Sequence, residues 1–343
     1  MRYDVLLTGA GALLGQGILK ALRASGHIGR VIASDMSPMA VGLYLADAAR
    51  LLPRWNAPEY VDAVIQVARR ERVAAIFCGT DLELPALAAN RARIEAETGA
   101  HVLVSDADAV AIADDKWLTA EFLRAHGFDA PRSALAADAH RLADDVGYPL
   151  VVKPRIGAGS VGLSIARDRV QLNRALEVPG MVVQEYLRPD DEEYTVGAIV
   201  YGGVCATAVA LKRTLRHGNT HTAISDGYDE VEVYVARVAA ALPGARGPIN
   251  IQLRRTDRGP VAFEINARFS GTTPLRVELG WNEVEAVLLH ALEGRPVPRG
   301  RLRRGVVLRW TAEVLVPLEQ LERMGSGRLD APAGLVRGVP ERR

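Results

Sequence analysis

A predicted β-hairpin at residues 249–266 carries the strongest local chemical signal in the sequence. Both of its strands alternate between apolar and polar residues, and residues 256–259 supply a turn that centres near Arg258. Because strand side chains alternate with period two, this register places four polar side chains on one face: Asn250 opposite Asn266, and Gln252 opposite Glu264. One carboxylate with several carboxamide oxygens suits Mg²⁺ that is shared with substrate phosphates. The opposite face should pack on a core and consists of Ile249, Ile251, Leu253, Phe263 and Ile265.

Lysine is rare in this chain, and one lysine precedes a glycine-rich turn. The only lysines among the 42 basic residues are Lys20, Lys116, Lys153 and Lys212. A compact ammonium suits a phosphate that is approached as a point charge, although composition alone is equally consistent with lysines that share no role. Lys153 ends a predicted strand, and Gly157-Ala-Gly-Ser-Val-Gly162 leads into the next one. Two strands joined by such a turn can form a flap whose backbone N–H groups close over phosphate oxygens.

The first hundred residues alternate short apolar strands with helices, which predicts a doubly wound parallel α/β domain. The predicted strands are residues 3–8, 30–34, 73–78 and 101–105, and the predicted helices are residues 14–25, 58–70 and 84–98. Gly9 and Gly11 suggest a dinucleotide loop, with Asp35 as its ribose-binding acid. That fingerprint requires glycine at position 14, where Leu14 stands, so a tight turn that packs the first helix on the first strand is favoured.

Length and composition bound the class of protein. The 343 residues suffice for two or three domains, and a net charge of +1 gives no electrostatic reason to expect nucleic acid as a partner. Two separated cysteines, Cys78 and Cys205, argue against a disulfide framework or a cysteine zinc site and fit a reducing cytoplasm. The sequence shows neither a secretory segment nor a run of ~18 apolar residues. We therefore expect a cytoplasmic protein without a membrane partner, and a homodimer is the base-rate assembly.

Taken in chain order, the motifs between residues 114 and 276 resemble those of ATP-grasp enzymes, closest to the branch that contains the large subunit of carbamoyl-phosphate synthase. The α/β domain before them resembles the usual preceding domain of that family, so the likeness covers most of the chain. The resemblance implies an α/β and α+β architecture with three parts. These are a preceding domain at 1–112, a two-lobed ATP-grasp domain at 113–298 (flap lobe 113–186, metal-site lobe 187–298), and a C-terminal strand and helix with a flexible tail at 299–343.

The resemblance also implies a nucleotide site. Asp114-Asp-Lys116 resembles the opening helix whose lysine contacts nucleotide phosphate. Val151-Val-Lys153-Pro and the glycine-rich turn resemble the strand and flap that hold the phosphates, through Lys153, Gly157, Gly159, Ser160 and Gly162. Val183–Leu187 resembles the hinge strand whose backbone and acid receive adenine, which assigns Gln184, Glu185, Tyr186 and Leu187 to the base. Glu193 resembles the ribose-binding acid.

At the metal end, the hairpin segments Asn250-Ile-Gln252 and Glu264-Ile-Asn266-Ala-Arg268 resemble two strands that bind two magnesium ions, for which Mn²⁺ is an alternative. The resemblance makes Gln252, Glu264 and Asn266 ligands and places Arg268 on the terminal phosphate. Two departures weaken the case for carbamoyl phosphate as the product. The family branch usually carries a second arginine where this chain has Gly271, and this chain has one such module rather than two.

The segment 211–222 is basic in an otherwise neutral chain, and it is the candidate for substrate contact. Lys212 and Arg216 would hold an anionic substrate, and Asn250 is a further candidate contact. His221-Thr222 resembles a His-Thr pair beside the reactive intermediate in the same family branch, so His221 would orient or deprotonate the nucleophile. A solvated basic loop is the alternative. The His217-xxx-His221 spacing would suit zinc on a helix, but Gly218 and Asn219 favour a loop.

The resemblance therefore implies an ADP-forming ATP-grasp ligase that joins a small carboxylate to an amine through an acyl phosphate. An enzymatic alternative is bicarbonate activation of the carbamoyl-phosphate-synthase or carboxylase type, although the chain has neither a second module nor a biotin carrier domain. A second alternative is a non-catalytic, nucleotide-binding regulatory protein. That class should have lost metal or phosphate residues, and only the Gly271 departure points that way.

Overall fold

The structure is a computed structural model that describes residues 1–157, 159 and 161–325. These residues form two compact units. The first unit comprises Met1–Asp106, Arg268–Pro298 and the described chain from Trp310, and the second comprises Ala107–Ala267 and Arg299–Arg309. The predicted phosphate contact Ser160 and the predicted C-terminal tail lie outside the described residues.

Residues 1–106 form a five-stranded parallel sheet whose strands are connected mainly by helices, which confirms the predicted fold class. The strand order is β3-β2-β1-β4-β5. The elements are β1 (Tyr3–Thr8), α1 (Leu13–Arg23), β2 (Ile28–Asp35), α2 (Gly42–Leu45), β3 (Ala48–Leu51), α3 (Tyr60–Glu71), β4 (Ala75–Cys78), α4 (Leu84–Ala89), α5 (Arg91–Thr98) and β5 (His101–Val102). Val5, Leu6 and Leu7 of the central strand β1 are fully buried because helices cover a parallel sheet on both faces.

The prediction of a single helix over residues 84–98 is wrong, because the helix is interrupted at Asn90, between α4 and α5. The side-chain amide of Asn90 donates to the backbone oxygen of Ala86 at 2.9 Å, and its own backbone oxygen accepts from the Ile94 N–H at 2.9 Å. Asn90 thus ends one helix and begins the next. Asparagine competes with the backbone for hydrogen bonds and favours caps over helix interiors.

Residues 107–267 form two antiparallel sheets and their covering helices. The elements are α6 (Ala107–Asp114), α7 (Lys116–Ala125), β6 (Ser133–Leu135), α8 (Ala139–Val146), β7 (Leu150–Pro154), β8 (Ser164–Ala166), α9 (Arg169–Leu176), β9 (Met181–Glu185), β10 (Glu193–Tyr201), β11 (Val204–Arg216), β12 (Asn219–Ser225), α10 (Asp229–Ala241), β13 (Gly247–Thr256) and β14 (Gly259–Asn266). A four-stranded sheet has the order β6-β9-β7-β8. A six-stranded sheet begins β14-β13-β10-β11-β12, and its last strand comes from later in the chain.

The C-terminal part of the chain is divided between the two units. Its elements are α11 (Thr273–Glu278), α12 (Glu283–Glu293), β15 (Gly305–Leu308) and α13 (Leu318–Gly325). Helices α11 and α12 pack against α1, and the Asn282 amide donates to the Ala21 backbone oxygen at 2.8 Å. Strand β15 pairs with β12 as the last strand of the six-stranded sheet. The compact units therefore differ from the expected boundaries, which had kept residues 268–298 with the ATP-grasp domain and 299–309 apart from it.

The hairpin β13–β14 has the predicted register, with Asn250 opposite Asn266 and Gln252 opposite Glu264. An irregularity follows immediately, because Leu253 pairs with Ala262 and Phe263 has no partner in the register. This β-bulge turns the Phe263 side chain to the polar face. The prediction that Phe263 packs in the core is therefore wrong, whereas four other apolar residues are fully buried as predicted: Ile249, Ile251, Leu253 and Ile265.

Candidate active site

The second unit contains a cavity of about 300 Å³ that is lined by residues of both of its sheets. Eleven of the predicted nucleotide and metal residues line it: Lys116, Lys153, Gly157, Gly159, Gln184, Glu185, Tyr186, Leu187, Glu193, Gln252 and Glu264. Apolar side chains at the same cavity come from Val151, Leu163, Ile165 and Leu215. A cavity that combines apolar walls with convergent polar groups is typical of a small-molecule site.

Lys116 is the first residue of α7 and is buried. Its ammonium donates to the backbone oxygen of Gly157, at the start of the glycine-rich turn. The preceding residue, Asp115, caps the helix by accepting from the Trp117 N–H at 2.8 Å and also pairs with Arg155. Burial acts to raise the pKa of Asp115, but the hydrogen bonds from Arg155 and the helix N–H groups outweigh it and hold the pKa below its ordinary value. A cation at a helix N-terminus is disfavoured by the helix dipole, and an anion placed there would be favoured.

Lys153 is almost completely buried, at 6% exposure, and its ammonium lies 5.7 Å from the centre of the Phe263 ring. Burial lowers the pKa of Lys153 to about 8; the Glu264 carboxylate opposes this shift and the Lys116 ammonium adds to it. Its protein hydrogen bond is a long one, 3.4 Å to the backbone oxygen of Phe263. A buried ammonium so weakly compensated is poised to accept an anionic ligand.

The hinge strand β9 is held by its own side chains. The Gln184 amide donates to the Ser133 hydroxyl at 2.9 Å. The Glu185 carboxylate accepts from the Arg132 N–H at 3.1 Å and from the Arg258 guanidinium at 3.1 and 3.2 Å. The predicted adenine-binding acid is thus already paired with two donors. A contact between this segment and a base through the backbone stays a prediction.

Glu193 lies at the start of β10 between two arginines. One carboxylate oxygen, Oε1, accepts from Arg213 at 2.8 and 3.0 Å, and the other, Oε2, accepts from Arg254 at 2.8 Å. The Arg254 guanidinium also donates to the backbone oxygen of Leu187 at 2.5 Å. Because each carboxylate oxygen has two acceptor positions, Glu193 can still accept from a ligand hydroxyl.

At the metal end, an amide from each strand of the hairpin donates to one oxygen of Glu264. The distances to Glu264 Oε1 are 3.2 Å from the Gln252 amide and 3.1 Å from the Asn266 amide. Within the described residues, no group of three or more His, Cys, Asp or Glu side chains could hold a metal ion. A metal here would therefore depend on carboxamide oxygens and on ligand phosphates, which are the hard-oxygen donors that Mg²⁺ prefers.

The candidate substrate segment forms a hairpin of β11 and β12 rather than a loop. Its turn is His217-Gly218, both with positive φ (50° and 73°), as a two-residue hairpin turn requires. His217 and His221 therefore do not lie one turn apart on a helix, which is the arrangement that the zinc alternative required. Of this segment's residues, Arg213, Leu215 and Gly218 line the cavity.

The remaining predicted residues are not among the described residues that line the cavity. Lys212 pairs with Glu192 at 2.6 Å, and strand alternation places it on the opposite face of β11 from Arg213. Arg216 is exposed at the end of β11, and the His221 backbone oxygen accepts from the Arg309 N–H at 2.9 Å. Asn250 is buried and accepts from the Thr195 hydroxyl at 2.9 Å. Gly162 lies in the flap turn with φ of 76°.

Arg268 follows β14 by two residues and belongs to the first unit. Its guanidinium forms a two-pronged pair with Asp81, with distances of 2.6 and 3.1 Å, and donates to the Phe269 backbone oxygen at 3.0 Å. Its predicted role on the terminal phosphate stays a prediction.

Several cavity residues escaped the sequence reasoning, among them Arg213, Arg254 and Phe263. A partial signal exists, because Glu192-Glu193 and Lys212-Arg213 are adjacent opposite charges on neighbouring strands. The register that brings them together contains an irregularity at Ile199 and Val200, which no local pattern indicates. Phe263 depends on the bulge described above.

Comparisons with known proteins agree with this arrangement. The family model described as the ATP-grasp domain matches residues 113–272, and the model described as the PylC-like, N-terminal domain matches residues 5–103. The chain therefore carries an ATP-grasp domain preceded by a PylC-like N-terminal domain, which confirms the family that the motifs indicated.

Individual relatives lie at low identity. The carbamoyl phosphate synthase large chain of Thermus thermophilus is 24% identical over 302 residues, which cover 79% of this chain and 28% of that relative. The structure resembles N5-carboxyaminoimidazole synthetase from Staphylococcus aureus complexed with ADP (TM-score 0.66, 16% identity, 90% of this chain and 81% of that one). It also resembles the L-amino acid ligase from Bacillus licheniformis (TM-score 0.65, 19% identity, 85% and 74%). At these identities the structural likeness establishes the fold.

The chain spans well under half the length of the curated relatives it matches, 38% and 28% for two of them. Among residues 1–157, 159 and 161–325, no helix combines the length and the apolar character needed to cross a membrane.

Proposed function

We propose that the protein is an ATP- and Mg²⁺-dependent ligase that joins a small carboxylate to an amine through an acyl phosphate, with release of ADP and phosphate. The observation that carries the proposal is the shared cavity: two buried lysines, the acid Glu193 and the Gln252–Glu264 pair all line it. The structural relatives named above, a synthetase and an amino acid ligase, support the same class of reaction.

In this proposal the nucleotide lies along the cavity. Adenine occupies the apolar slot against the hinge backbone at residues 184–187, and the ribose hydroxyls donate to Glu193. The phosphates meet Lys116, Lys153 and the flap glycines Gly157, Gly159 and Gly162. Positive φ at these three glycines (145°, 67° and 76°) supports a turn whose N–H groups can approach an anion closely.

The hairpin fits Mg²⁺ by its donor chemistry. Gln252, Glu264 and Asn266 bring one carboxylate and two carboxamides together without a competing thiol or imidazole. When bound, the metal would neutralise phosphate charge and hold the transferring oxygens in line. Our proposal includes two Mg²⁺ ions at this hairpin, and Mn²⁺ could replace them.

The chain's own residues would position and neutralise the phosphoryl group, which is most of the catalysis that phosphoryl transfer needs. Lys116 and Lys153 supply fixed positive charge, and Arg268 would neutralise the terminal phosphate. The flap would exclude water, since an acyl phosphate hydrolyses when water reaches it. His221 would orient or deprotonate the amine, while Lys212, Arg216 and Asn250 are candidate contacts for an anionic substrate.

A phosphate-release screen of carboxylate and amine pairs tests the proposal. The wild type should release phosphate only when ATP, Mg²⁺ and both substrates are present. The Glu264→Ala/Asn266→Ala double variant should lose this release, and Glu230→Ala, at an exposed glutamate on α10, should retain it. A His221→Ala variant with full turnover would remove the assigned role of that residue alone. No pair-dependent release across amino acids and simple acids would contradict the ligase proposal.

Bicarbonate activation is the second candidate, and the carbamoyl phosphate synthase relative favours it. It predicts ADP formation that depends on bicarbonate and needs no other carboxylate. The same assay with and without bicarbonate in degassed buffer separates the two. A protein that binds nucleotide but releases no phosphate under either condition would support the regulatory alternative.

A further inference from the structure

Arg213 joins the ribose end and the metal end of the candidate site. Its side chain, on β11, is 8% exposed. Its Nε and Nη2 groups donate to Glu193 Oε1 at 3.0 and 2.8 Å, and Nη2 also donates to Gln252 Oε1 at 2.5 Å. A single guanidinium therefore holds both the acid assigned to the ribose and the amide assigned to the metal.

We propose that Arg213 is a positioning residue that couples recognition of the ribose hydroxyls to binding of the metal. This inference rests on the proposed nucleotide site and deepens it. The Gln252 oxygen that accepts from Arg213 is the same oxygen that would ligate Mg²⁺, because the Gln252 nitrogen is the donor to Glu264. Metal binding and the Arg213–Gln252 hydrogen bond thus use the same oxygen, and a cation on that oxygen repels the guanidinium and weakens the hydrogen bond.

The direction of the coupling follows from this repulsion. When Mg²⁺ takes the Gln252 oxygen, Glu193 becomes the principal acceptor for the Arg213 guanidinium. The guanidinium is then no longer shared with Gln252, and its charge-assisted hydrogen bonds go to the Glu193 carboxylate. Glu193 is therefore held more firmly in the position that receives the ribose hydroxyls. The ribose hydroxyls should therefore add more to nucleotide affinity with Mg²⁺ than without it. Linkage requires the reverse as well, so that an intact ribose strengthens metal binding by the same factor.

The geometry needs arginine. Two N–H groups of the planar fork reach the same Glu193 oxygen while one of the nitrogens also serves Gln252. Lysine keeps the charge but presents a single nitrogen without the fixed fork. Arg213→Lys therefore removes the link and retains the local charge.

Arg254 provides a matched control within the same site. It donates to the other oxygen of Glu193 at 2.8 Å, and its further acceptors in the described structure are the Leu187 backbone oxygen and Asp190. Arg254 thus holds the ribose acid without serving Gln252. Arg254→Lys should weaken ribose recognition and leave its dependence on metal intact.

Calorimetric titration of ADP and of 2′,3′-dideoxy-ADP, each with Mg²⁺ and with EDTA, tests the coupling. We define the ribose factor as the dissociation constant of 2′,3′-dideoxy-ADP divided by that of ADP under the same condition. In the wild type this factor should be at least about five times larger with Mg²⁺, at the low end of ordinary coupling between sites. Arg213→Lys should give the same factor in both conditions. Arg254→Lys should lower the factor in both and keep the increase with Mg²⁺.

The outcomes separate the two levels of the proposal. Equal ribose factors in the wild type with Mg²⁺ and EDTA would overturn the coupling without recourse to any variant. An increase that survives in Arg213→Lys, or that disappears equally in Arg254→Lys, would overturn the assignment to Arg213. Failure of the wild type to bind ADP in either condition would overturn the proposed function itself. Thermal unfolding of each variant without ligand shows whether it is folded.

Discussion

The Lys153 ammonium lies 5.7 Å from the centre of the Phe263 ring and 3.4 Å from the Phe263 backbone oxygen. Lys153 comes from the four-stranded sheet and Phe263 from the β-bulge of the six-stranded sheet, next to Glu264. The contact brings the candidate phosphate-binding lysine to the candidate metal hairpin. It also buries the lysine, and burial sets its protonation.

ADP affinity should fall as the pH rises above about 8, because the pKa of Lys153 is about 8 in the ligand-free protein. A bound phosphate favours the ammonium and raises this pKa, so affinity is constant below pH 8 and falls by up to about tenfold per pH unit above it. Calorimetric titration from pH 7 to 9.5 measures the profile. Lys153→Arg should flatten it, since arginine stays charged; a wild-type profile that is flat to pH 9.5 would contradict the account.

Glu264→Gln should weaken Mg-ADP binding by about tenfold or more while leaving ADP binding in EDTA nearly unchanged. The substitution keeps the shape and an acceptor oxygen but removes the negative charge that a hard cation requires. The matched control is Glu230→Gln at an exposed position on α10. Equal losses with and without Mg²⁺ would show that Glu264 acts on the nucleotide or the fold rather than on the metal.

Glu83 in the first unit should make the protein less stable as the pH rises. Burial raises the pKa of Glu83 to about 7 from an ordinary value of 4.5, with a contribution from Asp35, while contacts to Thr8 and Tyr60 oppose the shift. The folded state binds the proton more tightly than the unfolded state, so stability falls between pH 4.5 and about 7, by up to about 3 kcal/mol. The free energy of unfolding of Glu83→Gln, measured relative to that of the wild type, should therefore be higher at pH 8 than at pH 5. Denaturant unfolding at both pH values measures this gain, and a difference between the variants that does not change with pH would contradict it.

Gly79→Ala should destabilise the first unit severely. A Cβ atom at Gly79 would lie 2.2 Å from the Thr8 backbone oxygen and 2.9 Å from the Gly15 Cα, so two backbone segments would have to move. Overpacking against two backbone segments should cost about 3 kcal/mol, the upper end of the usual range. Gly26→Ala is the control, because nothing lies within 4 Å of its Cβ position. Similar melting temperatures for the two variants would show that the strand ends are less tightly packed than described.

The hairpin register could be predicted because alternation and a short turn fix which residues face each other. Asn250, Gln252, Glu264 and Asn266 were placed correctly for this reason. The position of Phe263 could not be predicted, since an apolar residue suits a core or a ligand cavity equally. The residue types around a β-bulge also do not indicate where the bulge occurs. The Glu193–Arg213 pair depends on a long-range strand register with its own irregularity. The sequence also could not predict that α11 and α12 belong to the first unit, because an apolar helix face does not specify the surface on which it packs.

The central claim is that the second unit binds Mg-nucleotide in the cavity described. Thermal unfolding with Mg-ADP, with ADP and EDTA, and with NAD tests it most directly. Mg-ADP at 100 times its dissociation constant should stabilise the wild type by about 2.7 kcal/mol, or several degrees. This shift should shrink with EDTA and in the Glu264→Ala/Asn266→Ala double variant. A shift with NAD and none with ADP would instead place the nucleotide site in the first unit and contradict the account.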